Sequence, residues 1–243
     1  MMNWEPNPVL DNHLRNRHLL EERSRTTFYT TDEEAHLLTT FVLEALADLA
    51  QRTSGKPWPV QSKEGQYSLG LVVSFIRTQF MVVRCAEHSH LIEGTTLLRK
   101  QLEVLARLNE IDDSTGALEQ LLKKTPRLSA LKSTVRGLYG SYSEIAHSSV
   151  PDHFQLLGSG ETDENSGYMS LYPKFSRNSY VFLHNAAHVF IEFWVWLQSY
   201  NERHGEPWDL DEFNLSAQAA FKVMLEWDVL DNGTKSQATK NEG

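Results

Sequence analysis

One cysteine, Cys85, stands in 243 residues. No intramolecular disulfide can form, so packing must supply the stability, as suits a reducing compartment. The familiar catalytic signatures are missing too: there is no Gly-x-Ser-x-Gly elbow, no Gly-x-x-x-x-Gly-Lys phosphate loop and no Cys-x-x-Cys pair. Gly158-Ser159-Gly160 lacks the strand-to-helix context such motifs require. Positive charge is scarce, with 23 Lys plus Arg against 32 Asp plus Glu and a formal net charge of -9. Such a surface repels phosphate backbones at long range, which disfavours non-specific nucleic-acid binding but leaves room for a local basic pocket. The opening Met1-Met2-Asn3-Trp4-Glu5-Pro6 has no basic region followed by an apolar run, so a cytoplasmic protein is expected. Long uninterrupted apolar runs are also lacking. Tyr180 to Leu197 comes nearest, but His184, Asn185, His188 and Glu192 interrupt it, which predicts a core helix and not a membrane span.

What is present is helical periodicity. With 40% hydrophobic and 10% aromatic residues, the chain can fill a sizeable core. Asp32 or Thr31 offers an N-cap, and Leu37, Leu38, Phe41, Val42, Ala45, Leu46 and Leu49 then recur at 3.6-residue spacing, predicting a helix over 33–53. Ser54-Gly55-Lys56-Pro57-Trp58-Pro59 ends it. Further helices are predicted over 67–87, 91–111, 115–124, 128–147, 176–203 and 211–229, with a short amphipathic one around 9–22. Between them, 152–175 reads as a small β-hairpin or lid with a Gly-rich acidic tip, joining His147 to Arg177. Residues 231–243 are polar and read as a disordered tail. The expected architecture is all-α: one domain over 1–230, a bundle of about six to seven helices with a small β-hairpin insertion.

Three polar groups interrupt the apolar helices. Arg99 and Glu103 are four apart beside a leucine stripe, either as a surface ion pair or as part of a ligand site. Tyr139, Ser143 and His147 fall along one stripe; they could position a nucleophile and a base, or simply tie a helix end to its neighbours. His184, His188 and Glu192 also repeat every four residues, a spacing that can ligate one metal ion, although no Glu follows the first His to serve as general base. The alternative is that these side chains satisfy one another or Arg99. Glu103, His147 and His188 are expected to share one polar pocket between the core helices, with 152–175 as its cover. The default expectation is no cofactor, with a divalent metal on His184, His188 and Glu192 as the alternative.

Leu97-Leu98-Arg99-Lys100-Gln101-Leu102-Glu103 and Tyr142-Ser143-Glu144-Ile145-Ala146-His147 resemble an uncharacterised group of bacterial helical proteins with an Arg-x-x-x-Glu helix and a later Ser-x-x-x-His helix. In outline this is similar to the HEPN superfamily, over roughly residues 90–200. The resemblance implies an all-helical bundle and a setting in bacterial defence or toxin–antitoxin systems. It also implies action through a protein partner, a homodimer or a small ligand near Arg99, Glu103, Tyr139, Ser143 and His147. The HEPN ribonucleases carry an Arg followed by four to six residues and a His; Arg177 to His184 fits with six between, and Arg84 to His90 with five. On that alternative Arg177 stabilises the charge on an attacked phosphate and His184 moves protons, with RNA as substrate and no metal.

Overall fold

A computed structural model describes residues 7–56, 62–113, 118–131, 135–146, 172–205 and 208–227. Among them are eight α-helices and one 3-10 turn, with no strand: α1 (Pro8–Thr31), α2 (Glu33–Thr53), α3 (Lys63–Glu87), α4 (Leu91–Asp113), α5 (Leu118–Leu122), the turn at Leu128–Ala130, α6 (Arg136–Ala146), α7 (Asn178–Arg203) and α8 (Asp211–Glu226). The all-helical bundle is as the periodicity predicts. The expected hairpin lies mostly outside the described residues, and the described part, 172–175, is irregular. His147 and the 231–243 tail also lie outside them.

Local chemistry sets the helix starts. Asn7 caps α1 by accepting from the Val9 amide, with Pro8 in the first turn. Ser62 caps α3 through the Gly65 amide. Asp32 caps α2 through the Ala35 amide at 2.9 Å, and its other oxygen accepts from the Trp227 indole at 3.3 Å. A corner early in the chain is thereby tied to the end of α8.

Two predicted boundaries change. α1 continues to Thr31 instead of stopping near residue 22: Ser24 and Phe28 are buried on it, and the hydroxyls of Thr26, Thr27, Thr30 and Thr31 are satisfied by carbonyls one turn earlier. A single helix over 128–147 does not form. Leu131 is extended (φ -71°, ψ 129°), which closes the 3-10 turn and separates it from α6.

α4 is central, packing on α3, α6 and α7, while α2 lies along α8. The core is aromatic at its centre: Phe75 stacks on Phe193 at 4.2 Å, and Phe193 on Trp196 at 6.1 Å. Where α4 crosses α3 and α7, Gly94 permits the approach. A Cβ there would lie 2.7 Å from the Phe182 ring and 2.9 Å from the Cys85 Cβ. Cys85 is largely enclosed at this crossing, and burial, then the charge of Glu93, pushes its thiol up to about 11. It is a packing residue with little thiolate at neutral pH. Among the described residues α3 is the one helix long and apolar enough to cross a membrane.

Candidate functional site

The Arg99–Glu103 spacing does form a site-like cluster, and α6 completes it. The Arg99 guanidinium lies over the Tyr139 ring at 5.2 Å and donates to the Tyr139 hydroxyl through Nε and Nη2 at 3.2 and 3.1 Å. That hydroxyl donates to Glu103 Oε1 at 3.2 Å, and Lys100 approaches the other Glu103 oxygen at 3.3 Å. Three of the five residues expected near a ligand, Arg99, Glu103 and Tyr139, are thus brought together, and they are occupied with one another. Their geometry is that of a tie between α4 and α6. Ser143 is half-buried one turn further along α6. The His147 member of that stripe, and hence its share in a pocket with Glu103 and His188, lies outside the described residues.

His184 and His188 meet edge to face at 4.8 Å. His184 Nε2 lies 3.2 Å from the Met224 carbonyl, an acceptor only, so that nitrogen carries the proton and only Nδ1 keeps a lone pair. Burial lowers both imidazoles; the carbonyl bond partly opposes this at His184, and the neighbouring ring adds to it at His188. Neutral rings suit a metal, but among the described residues no group of three or more His, Cys, Asp or Glu is gathered for one. Arg177 heads the same helix and is exposed. Seven residues of helix separate it from His184 by about 10 Å along the axis. His184 is half-buried beside Trp227, at 6.1 Å.

A second polar cluster carries no sequence signature. At the turn from α3 to α4, Ser89 adopts φ 59°, the left-handed region that non-glycine residues rarely enter. Its hydroxyl sits 2.8 Å from Ser24 on α1 and 3.1 Å from Ser179 on α7, and all three side chains are buried. Tyr29 donates to the buried Glu87 beside it; burial, then this bond, pushes the phenol well above its usual range. His90 and Arg17 both reach Glu21, at 3.0 and 2.7 Å. Burial works to raise the Glu21 carboxyl, but these partners outweigh it and the group is lowered. Two isolated serines on separate helices and a third in a turn offer no periodicity by which to find them.

A third cluster pins the chain after α4. Arg107 and Glu110 are nearly inaccessible and 2.9 Å apart. Arg107 also donates to the Leu121 and Lys124 carbonyls, while Arg127 donates to Glu110 through its backbone amide and Nε.

Two clefts are formed by described residues. One, of about 380 Å³, lies between the end of α2, α3 and the end of α7. Its walls are Leu49, Val72, Ile76, Leu197 and Trp208, and Thr53, Lys56 and Arg77 stand among the residues around it. Gly55, at φ 74°, turns the chain beside it. The other, of about 410 Å³, lies between α1 and residues 172–175. No protein-family model, curated protein or solved structure matches the chain, and its function is read from geometry alone.

Proposed function

We propose that the protein is a HEPN-like helical bundle that binds and does not cleave, holding a small amphipathic monoanion in the cleft between α2, α3 and α7. The observation that carries this reading is the pairing of an apolar interior with two cations. Lys56 and Arg77 have no carboxylate partner among the described residues, and both line a cleft walled chiefly by aliphatic side chains and one indole. Binding sites for small molecules have this composition: mostly apolar lining with a few polar groups to fix orientation. At roughly 30 Å³ per water-sized unit, the cleft admits about a dozen non-hydrogen atoms. A carboxylate on a medium-length apolar body fits it, with the charge at Arg77 and the chain against Ile76 and Leu197.

The ribonuclease alternative, on Arg177 and His184, is less well supported. The His184 proton at Nε2 is committed to Met224, and the two side chains start about 10 Å apart along one helix. The metal alternative keeps two lone pairs on neighbouring rings, but no third ligand beside them among the described residues.

Titration with decanoate, read by tryptophan fluorescence because Trp208 lines the cleft, tests the proposal. Saturable binding is expected, weakened at least tenfold by Arg77→Glu and unchanged by Arg177→Ala. Equal affinity in Arg77→Glu, or no saturation, overturns it. Cleavage of RNA that is insensitive to chelators and lost in His184→Ala would establish the ribonuclease reading instead.

A further inference from the structure

The cleft between α1 and residues 172–175 sets Arg23, Ser24 and Thr27 of α1 against Tyr172, Lys174 and Phe175. We propose that it is a second, independent site for a phosphorylated small molecule, whose phosphate is held by Arg23, Lys174 and Ser24.

The charge comes from residues left over after the local pairings are made. On α1, Arg17 is bound to Glu21, and Arg25 lies near Glu22 and over the Tyr29 ring. Arg23 lines the cleft and has no carboxylate partner among the described residues, and the same holds for Lys174 on the opposite wall. In a chain of net charge -9, two cations without a carboxylate partner among the described residues, facing one cavity, create a local positive field. Two positive charges with the Ser24 hydroxyl beside them suit the several oxygens of a phosphate monoester dianion. Arginine supplies the planar fork for phosphate oxygens, and lysine a point charge.

Ser24 adds a directed donor. Its hydroxyl begins the buried chain Ser24–Ser89–Ser179, with links of 2.8 and 3.1 Å. Three hydroxyls own three protons, but two links consume only two. Either hydroxyl of each link can donate, and in the direction Ser179 to Ser89 to Ser24 the Ser24 proton is left for an acceptor in the cleft. An anion there sets the direction of the whole chain, and the chain in turn strengthens the last bond. Thr27 offers nothing comparable, because its hydroxyl already donates to the Arg23 carbonyl at 2.9 Å. The remaining wall, Leu20, Tyr172 and Phe175, is a surface for a flat or apolar body, so the ligand is an organic phosphate and not the bare ion.

Calorimetric titration of the full chain with phenyl phosphate, beside phenol and inorganic phosphate, tests this. At low ionic strength phenyl phosphate should bind one to one, at least tenfold more tightly than either fragment. Arg23→Gln and Lys174→Gln should each lose tenfold or more, and Ser24→Ala several-fold. Binding should weaken as pH falls through about 6, where the dianion gains a proton. Arg77→Glu, which empties the other cleft, should leave it unchanged, so the two proposals fail separately. Affinity equal in Arg23→Gln, Lys174→Gln and wild type would overturn the site, as would phenol binding as tightly as its phosphate. Should Ser24→Ala unfold the protein, the two surface variants still decide.

Discussion

Two imidazoles show how burial acts on a single residue. His184 and His188 interrupt a strongly apolar helix, which half-buries them without a carboxylate partner among the described residues. Both are lowered by burial, so folding favours the neutral form. The unfolded chain takes up protons on these rings near pH 6.5, and the folded chain only at lower pH. The stability each contributes is therefore whole above about pH 6.5 and is lost as pH falls through the window beneath it. Urea midpoints should drop between pH 7.5 and 5.5, with a shallower drop in His188→Gln. A wild-type midpoint that is flat over that range would show the rings to be as solvated as in a peptide. Glu21 works in a separate window: its carboxyl is lowered, so its contribution is present above about pH 4.5 and lost below.

At the scale of elements, the periodic part of the fold was readable and the non-periodic part was not. In α2 the stripe residues Leu38, Val42, Ala45, Leu46 and Leu49 are buried while Leu37 is exposed, and in α4 Leu98, Leu102 and Leu105 are buried. α1 was under-read because threonines weigh against helix by propensity, while their back-bonds to the preceding turn are invisible in a sequence. Of the site residues, Arg99 and Glu103 were legible as a pair because they share a helix at i, i+4. Tyr139, read along one stripe with Ser143 and His147, joins them only through the packing of α6 on α4. The Arg107–Glu110 pair sits on the same helix at i, i+3, with nothing in the sequence to mark it as more deeply buried than Arg99 and Glu103. Its partners come from the end of α5 and the chain after it, and that geometry follows only from the fold. This tie makes its own prediction. Glu110→Gln removes a carboxylate that is 2% exposed and leaves the Arg107 charge, 5% exposed, to its two carbonyl partners. Breaking one side of such a buried pair costs about 3–5 kcal/mol, whereas Arg107→Met with Glu110→Gln should cost less than the single change. Denaturant unfolding of the three variants checks the order, and a double variant weaker than Glu110→Gln alone would mean that the carbonyls, not the ion pair, hold Arg107.

Across the whole molecule, residues far apart in sequence close the bundle. α2 finds its principal partner in α8, the Asp32 cap accepts from Trp227, and the Tyr180 hydroxyl donates to the Phe28 carbonyl. The stripe of Leu38, Val42, Ala45 and Leu46 is buried on α2, and Phe213, Ala217, Ala220 and Met224 are buried on α8. Without α8 an apolar face of α2 would stand in water, at about 25 cal/mol per Å² of apolar surface newly exposed. The His184 imidazole would lose its Met224 carbonyl as well, and a buried donor without an acceptor is penalised further. The bundle has one connected core reaching from Phe28 to Trp227, so these losses cannot be confined to its edge. A chain ending at residue 209 should therefore lose cooperative folding altogether and not merely melt a few degrees lower. In the full chain, tryptophan fluorescence and far-ultraviolet dichroism should trace one coincident thermal transition, as a two-state domain requires. In the truncated chain both signals should change gradually, with apolar dye binding already at room temperature. A sharp, coincident transition in the truncated chain would show that α1 to α7 form a self-sufficient core and that α8 is an appendage to it.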